Sequence, residues 1–210
     1  MHSYVYGPMP DKTLGGCLYY VYLIDNYSHK TWIYLLKTKD QVFEKFCEFK
    51  AHVENSTGGR IKRLRFDNGG EYVSNELINF YGDARIKREL IVPYYLEQNG
   101  IAKRNNKTNM EVAKAMIHDQ ELLMFLWGEA TRTIFYVQNR CPHQILDYKT
   151  PKEIFICERL NVEHLIIFSC HIFFHVPKEK RTKLEPSRKK GNFVGYCENS
   201  KTFRVYITGE

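Results

Sequence analysis

Leu64-Arg65-Phe66-Asp67-Asn68-Gly69-Gly70-Glu71-Tyr72 is the stretch on which the reading of this chain turns. Arg60 to Phe66 is predicted as a short strand that delivers Asp67 to its carboxyl end. Asn68-Gly69-Gly70 then allows the backbone to turn sharply, because glycine reaches left-handed conformations at no steric cost. Taken alone, Asp67 is an exposed turn aspartate. Its neighbours in the chain suggest more.

Upstream, Met1 to Tyr6 opens as a strand and shows no signal-peptide pattern. Cys17 to Asp25 and Thr31 to Lys37 are predicted strands, joined by turn residues Asn26-Tyr27-Ser28-His29. Val42, Phe43, Phe46, Phe49 and Val53 recur at helical spacing across Asp40 to Glu54, with Asp40 as cap and Gly58-Gly59 as terminator. Downstream, Ser74 or Asn75 caps a short helix through Tyr81, and Ile86 to Val92 is a strand stopped by Pro93. Pro93 to Gly100 is predicted as a loop, followed by helices over Ile101 to Gln120 and Phe125 to Gln138. Thr150-Pro151-Lys152-Glu153 opens one more short helix, with proline in its first turn. This order suits a mixed α/β sheet with helices on its faces. After about Leu165 the pattern changes to three short strands, Ile166 to Val176, Gly191 to Cys197 and Thr202 to Ile207, a small β module. The expected division is residues 1–160 and 161–210.

Bulk properties exclude some classes. Hydrophobic residues at 43% and charged residues at 26% describe an ordinary globular chain, and no apolar run is long enough to span a bilayer, so no membrane partner is expected. A net charge of +7 favours polyanionic partners, since lysine and arginine release counterions from phosphates. The six cysteines form no Cys-x-x-Cys pair, and most sit among apolar residues; buried, reduced thiols of an intracellular protein are expected. His171 and His175, beside Cys170, fall in an alternating apolar stretch and are read as a strand face rather than metal ligands.

Gln98-Asn99-Gly100-Ile101-Ala102-Lys103-Arg104-Asn105 follows the Asp67 block, with Lys103 lying 36 residues beyond Asp67. Other markers are His2-Ser3, Gly7-Pro8-Met9, Leu23-Ile24-Asp25-Asn26-Tyr27-Ser28, Pro93-Tyr94, Phe125-Leu126-Trp127-Gly128-Glu129-Ala130, Asn139-Arg140 and Lys149-Thr150-Pro151. The tail adds His175-Val176-Pro177, Lys183-Leu184, Phe193-Val194-Gly195-Tyr196 and Ser200-Lys201. In this order the motifs resemble the integrase catalytic core of copia-type retrotransposon Pol polyproteins, followed by their SH3-like module.

The resemblance implies an RNase H-like mixed five-stranded sheet flanked by helices. It implies DNA strand transfer and 3′-end processing in the nucleus, with Mg²⁺ or Mn²⁺ held by three carboxylates. Two hard cations clamp the attacking and leaving oxygens in such chemistry. Mapped onto this chain, the first carboxylate position is Tyr4, the second is Asp67, and the third is Lys103. Site charge moves from −3 to 0, and a unit pair at ~4 Å with an effective dielectric of ~20 is worth about 4 kcal/mol. Asp67 is thus the sole surviving metal ligand of the set, and weak or no metal binding is expected. Among substitutes, Asp25 is expected about five residues beyond the point facing Tyr4, on the order of 16 Å away. Glu71 and Glu97 are the other carboxylates able to approach.

The resemblance further implies nucleic-acid contacts after the third carboxylate position. Asn99, Lys103, Arg104, Lys107 and Lys114 are the candidates, with Lys103, Lys107 and Lys114 near one helix face. Arg60, Lys62, Arg63 and Arg65 form a second basic cluster, and Pro177 to Lys190 a third, with seven basic residues against two acidic. Such contacts would be to phosphate and without sequence specificity. Pairing with intact integrase subunits, or a homo-oligomer, is the expected protein partnership. The family's zinc-binding region precedes the core, and its reverse transcriptase and RNase H follow; none of these is expected within residues 1–210. Departures are also present: Tyr95-Leu96-Glu97 stands where the family has Thr-Pro-Gln, and Arg85 where a turn glycine is usual.

Overall fold

The computed structural model describes residues 1–66, 75–90, 96–198, 200 and 202–207, with residues 75 and 96–105 described in backbone only. The amino-terminal strand β1 (His2–Tyr6) runs antiparallel to β2 (Tyr19–Ile24), which pairs in turn with β3 (Thr31–Leu36). On its other side β1 runs parallel to β4 (Arg63–Phe66), which pairs in parallel with β5 (Lys87–Leu90). The resulting sheet has the order β3-β2-β1-β4-β5. Helices α1 (Val42–Thr57), α2 (Asn75–Asp83), α3 (Leu96–His118), α4 (Trp127–Gln138) and α5 (Pro151–Ile156) complete the core. A second, antiparallel sheet of order β6-β7-β8 follows, formed by β6 (His171–His175), β7 (Arg188–Tyr196) and β8 (Phe203–Tyr206). This is the mixed α/β sheet and small β module expected from the sequence.

Strand alternation sorts the core into two faces. Val21, Leu23, Trp32, Leu36, Leu64 and Phe66 point to one side, where Phe46, Phe49 and Val53 of α1 and Leu77 and Tyr81 of α2 cover them. Tyr20 and Tyr22 point to the other, against Met110, Ala113 and Ile117 of α3 and Trp127, Ala130 and Phe135 of α4. Fully buried side chains such as Leu36 and Phe49 contribute about 1.5–3 kcal/mol each. Among the described residues, no helix is long and apolar enough to cross a membrane.

Several boundaries differ from expectation. Asp40 does not cap α1: it lies in a one-turn 3-10 helix, Lys39–Gln41, and the capping position falls to Gln41, which makes no side-chain cap bond. Gln41 instead accepts the Lys37 amide at 2.7 Å. Helix α3 begins at Leu96, inside the predicted loop. Leu96, Glu97 and Gln98 are strong helix formers, which outweighs the cost of about 1 kcal/mol for Gly100. Strand β6 omits Ile166 to Cys170, where Ser169 adopts φ 65°, and β7 starts early, at Arg188. The cysteines are free as expected but not buried: Cys141 and Cys157 are exposed and the other four are half-buried. The predicted cap at Ser74 and the stop at Pro93 lie outside the described residues.

Helix α2 ends in a Schellman motif. The Ile86 amide donates to Tyr81 at 2.9 Å and the Arg85 amide to Gly82 at 3.0 Å. That geometry places Arg85 at φ 54°, a left-handed conformation in which a Cβ is crowded. Arg85→Gly is expected to stabilise the fold by about 1 kcal/mol, read as a rise in the urea midpoint with unchanged m-value. An unchanged or lowered midpoint would show that this turn carries no strain.

Candidate functional site

The site implied by the sequence centres on β1, and the register there is explicit. Tyr4 pairs with Tyr22 across the antiparallel β1–β2 ladder. Their rings stack at 5.2 Å and 24°, and Tyr22 in turn stacks on Phe135 of α4 at 5.7 Å and 25°. On the other flank, His2 lies parallel to Tyr4 at 6.2 Å, with its Nδ1 3.4 Å from the phenol oxygen. One strand-pair step away, fully buried Tyr20 packs against Trp127 and donates its hydroxyl to the Asn106 carboxamide oxygen. Burial pushes the Tyr20 phenol far up, so it acts only as a neutral donor. The sheet face around Tyr4 is therefore an aromatic row clamped by α3 and α4.

Other candidates scatter around this row. Asp67 follows the last residue of β4 and lies outside the described residues, as does Glu71. Asn99, Lys103 and Arg104 fall on the amino half of α3, and Glu97 on its first turn. Lys107 and Lys114 are exposed on the same helix, with Lys107 in a loose contact of 3.9 Å to Glu111. An exposed pair of this kind contributes little. Asp25 is nearer than expected: Tyr4 faces Tyr22, so Asp25 is three residues on, not five, or about 10 Å. Its carboxylate is engaged within the β2–β3 turn, accepting from the Ser28 amide at 2.9 Å and hydroxyl at 2.8 Å.

The second basic cluster is partly neutralised. Glu89 on β5 receives Arg63 Nε at 3.0 Å and Arg65 Nη2 at 2.9 Å. The hydrogen bond from Arg65 holds its carboxyl below the usual range. Arg60 and Lys62 remain exposed. His171 and His175 sit on a strand face, as expected, and among the described residues no group of three or more His, Cys, Asp and Glu side chains could hold a metal ion.

Sequence reasoning missed the polar clamps. Asn106 and Asn109 are buried on the inner stripe of α3 with Met110, Ala113 and Ile117; Asn109 accepts from Gln138 of α4 at 2.7 Å. The available signal was their helical spacing with the apolar residues. Asn139 closes α4 by pairing both ways with the Thr31 backbone, at 2.8 and 2.7 Å.

With this geometry in place, similarity to known proteins can be stated. Residues 170–210 match the family described as Retroviral polymerase SH3-like domain. An intasome structure from simian T-cell lymphotropic virus, in complex with a PP2A regulatory subunit, aligns over 100% of this chain and 79% of its own, at TM-score 0.56 and 14% identity. The HTLV-2 integrase catalytic core in complex with magnesium aligns over 73% of this chain and 95% of its own, at TM-score 0.52 and 17% identity. The architecture is thus that of a retroviral integrase core with an SH3-like module. The Pol polyprotein from Nicotiana tabacum transposon TNT 1-94 is 41% identical over 206 residues, covering 98% of this chain and 16% of that protein. Its counterpart from Arabidopsis thaliana transposon RE2 is 30% identical, covering 98% and 15%. The chain belongs with the retrovirus-related Pol polyproteins of transposons, and spans about a sixth of the length of these relatives.

Burial, followed by the positive charges of the neighbouring amino terminus and Arg65, lowers the His2 pKa from 6.5 to about 4. Above pH 6.5 the ring is neutral in both folded and unfolded chains. As pH falls from about 6.5 towards 4, the unfolded chain takes up a proton that the folded one refuses, so stability is lost over that window. His2→Gln is expected to flatten the decline in urea midpoint between pH 7 and 4.5; equal slopes in both proteins would exclude His2 as the titrating group.

Proposed function

We propose that this chain is an integrase-core segment of a transposon Pol polyprotein that does not carry out strand transfer and keeps phosphate contacts to nucleic acid. The observation that carries this reading is the place of Tyr4, whose ring is part of a stacked aromatic row. The Tyr4 phenol stands at the proposed first carboxylate position, beside the His2 imidazole, whose pKa burial lowers. Lys103 would add a positive charge from α3. These residues do not fit a pair of divalent cations, and Asp67 alone is a poor ligand set. We further assign residues 1–160 to the core and 161–210 to the SH3-like module. Exposed Lys107 and Lys114, with Asn99, Lys103 and Arg104 on the same helix, are the proposed contacts to DNA phosphates, without base readout.

One observation favours a second reading, a module that docks on other integrase subunits. Tyr27, Ile145 and Tyr148 are 81%, 72% and 74% exposed and line a single surface depression. Clustered apolar exposure of this kind marks protein contact sites. Co-purification with intact integrase, lost in Ile145→Asp, separates it from a lone nucleic-acid binder.

The deciding experiment compares this chain with its Tyr4→Asp plus Lys103→Glu double variant on a viral-end mimic with Mn²⁺. The unmodified chain is expected to be silent, and its melting temperature insensitive to Mn²⁺. The double variant is expected to lose about 1–3 kcal/mol without metal, because it buries a carboxylate beside aromatic rings. Saturating Mn²⁺ should then restore about 2.7 kcal/mol at 100 times Kd. Strand transfer by the unmodified chain would sink the proposal.

A further inference from the structure

The β6–β7 pair carries a surface that the core's chemistry does not use. Its register sets His171 opposite Asn192, Phe173 opposite Lys190 and His175 opposite Arg188. Directly paired residues project to the same face, so these six side chains share one side of the ladder. Of the alternate positions, Ile172 and Gly191 turn inward. Ile172 packs on the small core of Phe193, Tyr196 and Tyr136, and Gly191 leaves no room for a Cβ, with Val205 Cγ1 at 2.5 Å from that point. The outward face is therefore backed by a tightly packed layer. Phe173 is 70% exposed at its centre, and His171, His175, Arg188 and Lys190 around it are all exposed. A hydrogen bond of 3.1 Å between His171 and Asn192 fixes one end.

An exposed phenylalanine among cations has few compatible partners. Among the described residues, no carboxylate forms an ion pair with Arg188 or Lys190. Beyond Arg188 and Lys190, residues 177–190 carry five further basic side chains against two acidic. A protein interface closing over Phe173 would have to desolvate these cations, and lysine is depleted from interface cores for that reason. A polyanion meets the charge, and an unpaired base meets the ring, since every base offers a π-face for stacking. A duplex hides those faces between its own base pairs.

We propose that the outer face of the β6–β7 pair is a single-stranded nucleic-acid platform, on which a base stacks on Phe173 while Arg188 and Lys190 hold neighbouring phosphates. The surface lies in the second sheet, apart from Tyr4 and from the lysine face of α3, and its role does not depend on the catalytic standing of the core.

Anisotropy of labelled oligothymidylate and of a duplex of equal length, across a salt series, tests it with the full chain. Phe173→Ala should weaken oligothymidylate binding about tenfold or more and leave duplex binding within twofold, while Phe173→Trp retains it. Arg188→Gln plus Lys190→Gln should reduce the salt slope for the single strand by about 1.4. Lys107→Gln plus Lys114→Gln should affect the duplex instead, which separates failure of this platform from failure of the α3 reading. Melting temperatures of the variants should match the parent, because each altered side chain is exposed. Unchanged oligothymidylate binding in Phe173→Ala would overturn the proposal. So would equal losses for duplex and single strand, or dissolution of a dimer by Phe173→Ala with nucleic-acid binding intact.

Discussion

The double pairing of β1 is the constraint on which the rest of this structure hangs. All five residues pair with β2 on one side in antiparallel register, and His2 and Ser3 also pair with β4 on the other in parallel register. Both faces are then occupied. Ser3 is 1% exposed and leans towards α1 and α2 with Val5, while His2 and Tyr4 lean towards α3 and α4. A residue on such a strand cannot be a neutral bystander. At Tyr4 the ring has become part of the packing between the sheet and α4, through Tyr22 and Phe135. Aromatic pairs of this geometry contribute about 0.5–1.5 kcal/mol beyond the area they bury. A carboxylate at the same place would contribute only if a cation came with it.

The same logic explains how the family likeness is held in place. Gly7 has φ 122° and the Leu18 carbonyl at 2.7 Å from where a Cβ would stand. Trp127 donates from Nε1 to the Asp11 carbonyl at 2.8 Å, and Gly128 lets Leu35 and Thr13 approach to 2.8 Å of its missing Cβ. Asn139 substitutes for a backbone partner at the start of β3, and Thr150 with Glu153 forms a complete capping box. Each of these markers is held by packing or hydrogen bonding within the fold. A side chain that served only a metal would have no such second role, so exchanging it would leave the architecture standing.

This division also sets how much was legible in the sequence. The strand-forming runs of β2 and β3, helical spacing in α1 and the Thr150-Pro151 opening of α5 are local, and local pattern placed them to within a few residues. The start of α3 was misplaced because turn-like Asn99-Gly100 outweighed the helix propensity of Leu96, Glu97 and Gln98 in the reading, while the opposite holds in the fold. The Asp25 offset was misjudged because hairpin register depends on where the connection between β1 and β2 closes, and residues 7–18 form an irregular excursion that no local rule measures. Asn106 was invisible because its partner, Tyr20, is 86 residues away. The proposed roles of Tyr4 and Lys103 rest on the resemblance alone; the aromatic row that receives Tyr4 needed the register.

The second sheet is anchored on α4 mainly through the carboxyl end of β7, with a further contact from β8. At its carboxyl end β7 lies on α4: Thr133 Oγ1 donates to the Val194 carbonyl at 3.3 Å, Gly195 admits that hydroxyl to 3.1 Å of its missing Cβ, and Val194 joins the α3–α4 core. Arg204 on β8 reaches Glu129 of α4 at 2.6 Å. A Cβ at Gly195 would press against Thr133, so the docking is close as well as apolar. The amino half of β7 runs beyond this contact with Arg188, Lys189 and Lys190 all exposed. One strand thus serves as a fixed root and a projecting arm. The arm needs no hydrophobic support from the core, because β6 and β8 flank it and Gly191 lets their side chains meet beneath it. A charged, aromatic-tipped surface can therefore be presented on the outer side of this sheet, whatever chemistry the core performs.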